Sequence, residues 1–474
     1  MVPLLILGSL IKKAYERGLR LRASILGTTF IHELLLVVFP IWYSVFTKYY
    51  LEHEMIIQPH PSDLLVVIIG EVIFVTLFAI GLQIGQRHIL QYKRVLILSN
   101  NREPLFLFLL IGAGFLIYLN LFISPPKTFE EFIVHFKVHQ YSGFKAMLYA
   151  WFKGFFQISS IVASALVLVN SKKRYPLVLR IMAFSVLALV SLTSLSQGIR
   201  GRVVIVASFL GMAGFIKRRM VAFYVGLVLI VAIVPLFVFL GGPFRSIYFA
   251  KAGQGATRIE LLNSITNAVG KAIKTGGSYK LSKYSFISIF ARRAQASRNS
   301  IVLYQLYNDG LGAGLRPLGA AFVSPIPRII WPEKGIAGSS DLTPTGAAVY
   351  LVRHVGYGSP VYNVGPYLAS AHAYWEGGWI WLICAGFITG LMWNVILKWC
   401  LKTGREINII IALTLTRGVL ANGFLTALQP LFDFVRLFWA TILPTIMLSV
   451  IVDLILTIKK GALMSVPRMQ SNLD

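Results

Sequence analysis

The chain has 474 residues, 56% of them hydrophobic and 13% charged, with a mean hydropathy of +0.72. That composition excludes an ordinary soluble globular protein and points to an all-α polytopic membrane protein. The formal net charge of +27 would suit nucleic acid, but much of it sits in short loops between apolar runs. No basic helix with interleaved aromatics offers a nucleic-acid platform, so no nucleic acid is expected as a partner.

Taken in chain order, the first ten residues are apolar and are followed by Lys12, Lys13, Arg17, Arg20 and Arg22. Positive charge after the apolar stretch is the wrong order for a cleaved signal peptide. Residues 1–22 therefore read as an interfacial amphipathic segment. Runs of roughly 20 apolar residues match a hydrocarbon core about 30 Å thick at about 1.5 Å per helical residue. About ten such spans are expected, over 25–46, 63–85, 104–124, 147–169, 176–195, 203–216, 221–241, 377–398, 407–428 and 434–457. No run of alternating ten-residue strands suggests an outer-membrane barrel. The spans divide the chain into an N-terminal helical bundle (1–242), a large extracytoplasmic loop (243–376) and C-terminal membrane helices (377–474).

Charge orients the spans. Arg87, Lys93, Arg94 and Arg102 fall in one short connection, Lys172, Lys173 and Arg174 in the next, and Lys217, Arg218 and Arg219 in a third. Lys398, Lys402 and Arg405 follow the eighth span, and Lys459 and Lys460 the tenth. With ten spans and both termini cytoplasmic, every short cytoplasmic connection is basic. The long loop is basic too: from Arg245 to Arg353 it holds 14 Arg and Lys against 4 Asp and Glu. Long loops translocate largely regardless of charge, so this excess calls for an anionic ligand. Cys384 and Cys400, the chain's 2 cysteines, lie too far apart along one helix to bridge, and no cysteine-based metal site exists. No internal repeat supports an inverted-repeat transporter.

The chemistry is expected on the extracytoplasmic side. One arginine-bearing string there is Leu195-Ser196-Gln197-Gly198-Ile199-Arg200-Gly201-Arg202, between the fifth and sixth spans. The other is Pro327-Arg328-Ile329-Ile330-Trp331-Pro332-Glu333-Lys334 in the long loop. A guanidinium fork donates two parallel hydrogen bonds and keeps its charge at any relevant pH, which suits a diphosphate. Glycines beside Arg200 let backbone amides approach the same oxygens. The competing reading is that Arg200 and Arg202 reach lipid headgroups and Trp331 anchors at the interface. Glu71, Lys153, Arg180 and Arg417 lie inside apolar runs, where pairing or a wet cavity is required. Arg417 with Arg436 would line a cleft for a lipid diphosphate, or Glu71 would pair with an arginine between helices.

These strings resemble the bacterial oligosaccharide repeat-unit polymerases, the Wzy-type O-antigen and capsule polymerases. The resemblance rests on the Pro-Arg-x-x-Trp-Pro-x-Lys string and on the stretch Gly356-Tyr357-Gly358-Ser359-Pro360-Val361-Tyr362-Asn363-Val364-Gly365. It also rests on the Arg-Gly pair opening a span, the Arg200/Gly211 spacing, and the large loop in the C-terminal half. The family pattern usually has proline where Gly335 stands and an acid where Val361 stands, so no acidic role is carried over to that position.

What the resemblance implies is glycosyl transfer at the outer face of the bacterial cytoplasmic (inner) membrane. The partners would be undecaprenyl-diphosphate-linked glycan donor and acceptor, membrane lipids and a chain-length regulator protein. Neither a cofactor nor a metal is expected. Arg200 and Arg328 would stabilise the departing diphosphate. His354 would be the base, with Asp341 in reserve and Glu333, His372 and Glu376 as further candidates. Arg202, Lys334, Trp331, Arg353, Tyr357, Tyr362, Arg417 and Arg436 would bind substrate, and Tyr367, Tyr374, Trp375 and Trp379 could stack on sugars. Two alternatives are a lipid-linked O-antigen ligase and a lipid-linked oligosaccharide flippase, the latter not an enzyme.

The loop is expected to carry short interfacial helices, because apolar stretches such as Ile301–Leu306 are too short to span. A reporter fused near Gly310 should be active only outside the cytoplasm; cytoplasmic activity there would refute the topology.

Overall fold

A computed structural model describes residues 1–34, 38–39, 42, 61–88, 102–122, 156, 158–170, 175–196, 201–239, 250–274, 296–314, 368–403, 406–415 and 443–464. Among these, 91% are helical and none forms a strand. The helices are α1 (Val2–Glu16), α2 (Arg20–Glu33), α3 (Pro61–His88), α4 (Arg102–Phe122), α5 (Ile158–Val169), α6 (Leu177–Ser196) and α7 (Gly201–Ile216), followed by α8 (Met220–Phe239), α9 (Arg258–Lys274), α10 (Ala296–Asn308), α11 (Ala369–Thr403), α12 (Glu406–Leu415) and α13 (Leu443–Met464). Three segments are long and apolar enough to cross a membrane: Ser62–Ile84, Leu177–Ser196 and Ala369–Val395. Five further apolar helices are shorter.

The centre of the bundle is the pair α3 and α11, which run parallel. Their register follows from where glycines meet the opposite backbone. A Cβ on Gly386 would lie 2.8 Å from the Phe74 carbonyl oxygen. One on Gly390 would collide with the Phe78 carbonyl, and one on Gly81 with the Phe387 carbonyl. The two backbones thus approach as closely as a small-xxx-small interface permits, where packing rather than hydrophobicity holds helices together. Buried Phe74, Phe78, Leu82 and Trp393 fill the margins.

α11 is broken at Gly377–Gly378. Gly378 has φ 67°, and a Cβ there would also strike the Tyr307 hydroxyl, so the turn needs glycine twice over. The break folds the limb 369–376 back beside the spanning limb. Ser370 meets Glu71 while Leu382 meets Gly70, so both limbs reach one height on α3. α10 lies alongside and antiparallel to α3: Gln305 Nε2 donates to Asp63 Oδ2 at 2.9 Å, while the Tyr304 hydroxyl lies against Gly70. α10 and the limb 369–376 therefore start at the depth of Glu71, eight residues or roughly 12 Å below the Asp63 end of α3. Both rise toward that end, where Trp375 Nε1 donates to the Leu311 carbonyl at 3.0 Å.

This differs from helices lying along the interface. Ile301, Val302, Leu303, Tyr304 and Leu306 are all at most 3% exposed. Apolar on nearly every side, α10 gains more by burial among α3 and α11 than by lying flat. The same holds for α1, expected as an interfacial segment. It packs antiparallel to α2 and against α3, with Leu4, Leu7 and Leu10 buried.

The short basic turns gather at one end. Arg20 Nη1 donates to the Phe215 carbonyl at 3.3 Å, and Lys217 Nζ lies 2.7 Å from Glu406 Oε1. α2 runs antiparallel to α3, its Ile25, Leu26 and Thr29 bordering a small apolar cavity with Phe78, Leu82, Trp393 and Leu397. The opposite end carries Pro61, Asp63, the end of α6 and the start of α7. Replacing Gly390 by alanine should cost about 1–3 kcal/mol by overpacking, read as a lower melting temperature in detergent. Gly114→Ala, where a Cβ meets nothing within 4 Å, should melt no lower than the wild type. Equal melting of both variants would contradict the close approach.

Candidate functional site

Two polar clusters stand out at the Pro61 end of the bundle, and they have opposite character.

The first is an arginine junction at the C-terminal end of α6. Ser194 and Ser196 are buried there, at 0% and 2% exposure. The Ser194 hydroxyl donates to the Val190 carbonyl and the Ser196 hydroxyl to the Thr193 carbonyl, the usual back-bonding of serine in a helix. Their lone pairs then accept from guanidinium groups. Arg202 Nη1 lies 3.5 Å from Ser194 Oγ, and Arg258 Nη1 lies 3.3 Å from Ser196 Oγ. Arg202 comes from the first turn of α7 and Arg258 from the first residue of α9. Both face the negative end of the α6 dipole, a favourable position for cations. A guanidinium carries five N–H donors in a planar fork, the geometry that suits an oxyanion.

A reciprocal cap fixes the start of α9. The Thr257 N–H donates to Glu260 Oε2 at 2.8 Å, and the Glu260 N–H to Thr257 Oγ1 at 3.3 Å. This Thr-x-x-Glu box sets where α9 begins and hence where Arg258 points. The Thr257 backbone N–H, then its hydroxyl, hold the Glu260 carboxyl below its ordinary value.

The second cluster is acidic and aromatic, and lies where α2, α3, α10 and α11 meet. Ser370 Oγ donates to Glu71 Oε2. Glu71 and Glu33 are 1% and 0% exposed and close enough to feel each other's charge. Tyr304 stacks on Tyr374 at 4.2 Å between centroids, and Trp379 stands edge-on to Tyr374 at 5.2 Å. The Tyr374 hydroxyl donates to Asn308 Oδ1 at 2.9 Å. Further along α11, His372 Nδ1 lies 3.2 Å from Glu376 Oε1, whose Oε2 accepts the Trp381 indole N–H at 2.7 Å. With Glu376 as acceptor, Nδ1 is the protonated nitrogen and Nε2 carries the lone pair, the tautomer a general base needs.

Of the residues singled out in the sequence, Arg202, His372, Glu376, Tyr374, Trp375 and Trp379 are therefore placed. Arg202 joins the arginine junction; the other five share the α10–α11 region. Arg200, Arg328, Trp331, Glu333, Lys334, Asp341, Arg353, His354, Tyr357, Tyr362, Arg417 and Arg436 lie outside the described residues, as does Lys153. The expected Glu71–arginine pair is not found among the described residues: Glu71 bonds to Ser370 and faces Glu33 instead. Arg258, Glu33 and Ser370 did not stand out in the sequence. The capping box at 257–260 was the available signal for Arg258, and a carboxylate within the first apolar run was the signal for Glu33. Among the described residues, no group of three or more His, Cys, Asp or Glu is arranged to hold a metal ion. The chain matches no family model, curated protein or solved structure.

The cap gives a pH dependence. Because the folded carboxyl of Glu260 is held below its ordinary value near 4.5, its contribution is complete above that value and is lost as pH falls through the folded one. Amide exchange in the first turn of α9 should accelerate below about pH 4.5 and, at neutral pH, in Glu260→Gln and Thr257→Ala. Unchanged exchange in both variants would mean that the box does not set the start of α9.

Proposed function

We propose that this chain is a glycosyltransferase that polymerises undecaprenyl-diphosphate-linked oligosaccharide repeat units at the outer face of the bacterial cytoplasmic membrane. The observation that carries the reading is the arginine junction: Arg202 and Arg258, from different elements, meet at the C-terminal end of α6. In this reading the basic turns around Arg20 and Lys217 face the cytoplasm and the Pro61 end faces outward.

A hydroxyl oxygen of the acceptor sugar attacks the anomeric carbon of the donor glycan. The bond from that carbon to the diphosphate oxygen breaks, undecaprenyl diphosphate leaves with the electron pair, and a base takes the hydroxyl proton. Arginines preorganised at the leaving group stabilise the charge that develops there. Arg200, Arg202, Arg258 and Arg328 take this part. His354 is the base read from the sequence, with Asp341 in reserve, and His372 oriented by Glu376 is the base that the geometry adds. Trp379, 37% exposed, offers a ring face to a sugar, and the buried Tyr374 supports it from behind.

One observation favours a second reading. α10 and the first limb of α11 begin at depth beside a buried carboxylate, as broken helices do in transporters, which suits a lipid-linked oligosaccharide flippase. The two readings separate in a deletion strain. Surface glycan of a single repeat indicates a lost polymerase, whereas absent glycan indicates a lost flippase or ligase.

In a complemented strain, Arg258→Ala and Arg200→Ala should each lower the polymerisation rate by about 10²–10³-fold, by analogy with an oxyanion donor. Lysine should rescue either position poorly, because it keeps the charge and loses the fork. Polymerisation by the purified protein should persist in excess chelator. Wild-type glycan lengths from folded Arg258→Ala protein would remove the junction from the mechanism.

A further inference from the structure

Glu33 and Glu71 are out of water, at 0% and 1% exposure. Both Glu33 carboxylate oxygens and Glu71 Oε1 lack a hydrogen-bond partner among the described residues. The Tyr304 hydroxyl, on a side chain 3% exposed and lying against Gly70, forms no hydrogen bond of good geometry among the described residues and has Glu71 and Ser370 as its polar neighbours. Two carboxyl groups and a hydroxyl in an apolar surround cost several kcal/mol unless something compensates them.

We propose that Glu33, Glu71, Ser370 and Tyr304 bind one dehydrated alkali cation. The pieces come from four helices: Glu33 from the last turn of α2, Glu71 from the third turn of α3, Tyr304 from α10 and Ser370 from the first turn of α11. Each contributes hard oxygen, the atom type such cations prefer. Ser370 donates its proton to Glu71 and keeps a lone pair for a cation. Tyr304 does the same if its proton turns to Glu33 or Glu71. The start of α11 adds a partial positive charge next to Glu71, so a single positive ion suffices beside the two carboxylates. A divalent ion fits less well. Calcium draws six to eight oxygens and magnesium retains several waters, whereas this cluster offers four side chains, all buried. The site is independent of the polymerase reading and lies among different elements from the arginine junction.

The test uses the full chain in lipid nanodiscs and dicyclohexylcarbodiimide, an apolar reagent that modifies carboxyl groups in membrane interiors. Modification is mapped by peptide mass spectrometry, in alkali chlorides against choline chloride at equal ionic strength. Glu33 or Glu71 should be modified in choline and protected about tenfold in sodium or potassium at ten times the dissociation constant. Ser370→Ala should need roughly tenfold more cation for the same protection, as expected for losing one bond to a charged group. In Glu71→Gln, Glu33 should still be modified but no longer protected. Should that variant fail to fold, the competition in the wild type still decides. Modification that no alkali cation suppresses would show that the carboxyls carry protons only and would overturn the proposal. Protection by magnesium or calcium alone, or no modification in choline, would overturn it equally.

Discussion

The close approach of α3 and α11 is the constraint on which the rest of the structure depends. Gly81, Gly386 and Gly390 each face a backbone carbonyl of the opposite helix, and a single added methyl group at any of them would push the pair apart. Because the helices touch along their backbones, their relative height is fixed by the interdigitation of Phe74 and Phe78 with the glycine ridge. That height in turn decides what meets Glu71. Slide α11 by one turn and Ser370 would face Phe74 or Val67 rather than a carboxylate. The registry of an apolar interface therefore sets the address of a polar site, and the apolar residues are functional in that sense.

The break at Gly377–Gly378 converts this rigid pair into a site. A straight α11 would carry Ser370, His372 and Tyr374 out beyond the end of α3. Folding back brings them down beside it, where α10 packs against them through Tyr304, Tyr307 and Trp375. The arginine junction is built by another route, from the end of one span, the first turn of the next and the capped start of a loop helix. Its charge stands at a helix C-terminus, while the carboxylates stand near a helix N-terminus. Each cluster occupies the end of a dipole that favours its own sign, in contrast to the Lys217–Glu406 pair at the other end of the bundle.

Much of the architecture was legible in the sequence because hydropathy reports it directly. Ser62–Ile84, Leu177–Ser196 and Ala369–Val395 fall on spans that apolar length alone marks out, and the basic turns at Arg20 and Lys217 meet at a common end as charge patterning suggests. What hydropathy cannot distinguish is a helix that crosses from one that turns back. The sequence reading starts the span at residue 377 and leaves 369–376 in the loop, and only the contacts of Ser370 and Leu382 with neighbouring residues of α3 show that these residues form a second limb beside it. α1 and α10 pack against α3 rather than standing apart from the bundle for a related reason. A short apolar helix can lie on a bundle or inside it, and the choice depends on whether neighbours leave a groove, which is a tertiary fact. Within the site, Arg202 was legible from its glycine-flanked string. Glu33 and Ser370 were not, since a single carboxylate or serine in an apolar run acquires meaning only from what faces it.

The depth at which α10 and α11 begin raises a problem that the same cluster answers. The first turn of any helix leaves backbone N–H groups unpaired, and in a hydrocarbon layer each of these is expensive. Helices normally begin in water for that reason. Here the Leu368 N–H at the head of α11 donates to Ser300 Oγ at 2.8 Å, so one of those groups is satisfied by a side chain of α10. Ser370, in the first turn of α11, donates its hydroxyl hydrogen bond to Glu71. The carboxylate and the helix starts thus stabilise each other. The helix starts are met at that depth by the Glu71 carboxyl, and the carboxyl is met by the Ser370 hydroxyl. Neither could be removed alone without stranding the other. A buried glutamate that would be a liability in a simple spanning bundle is here the group that lets two helices begin inside one.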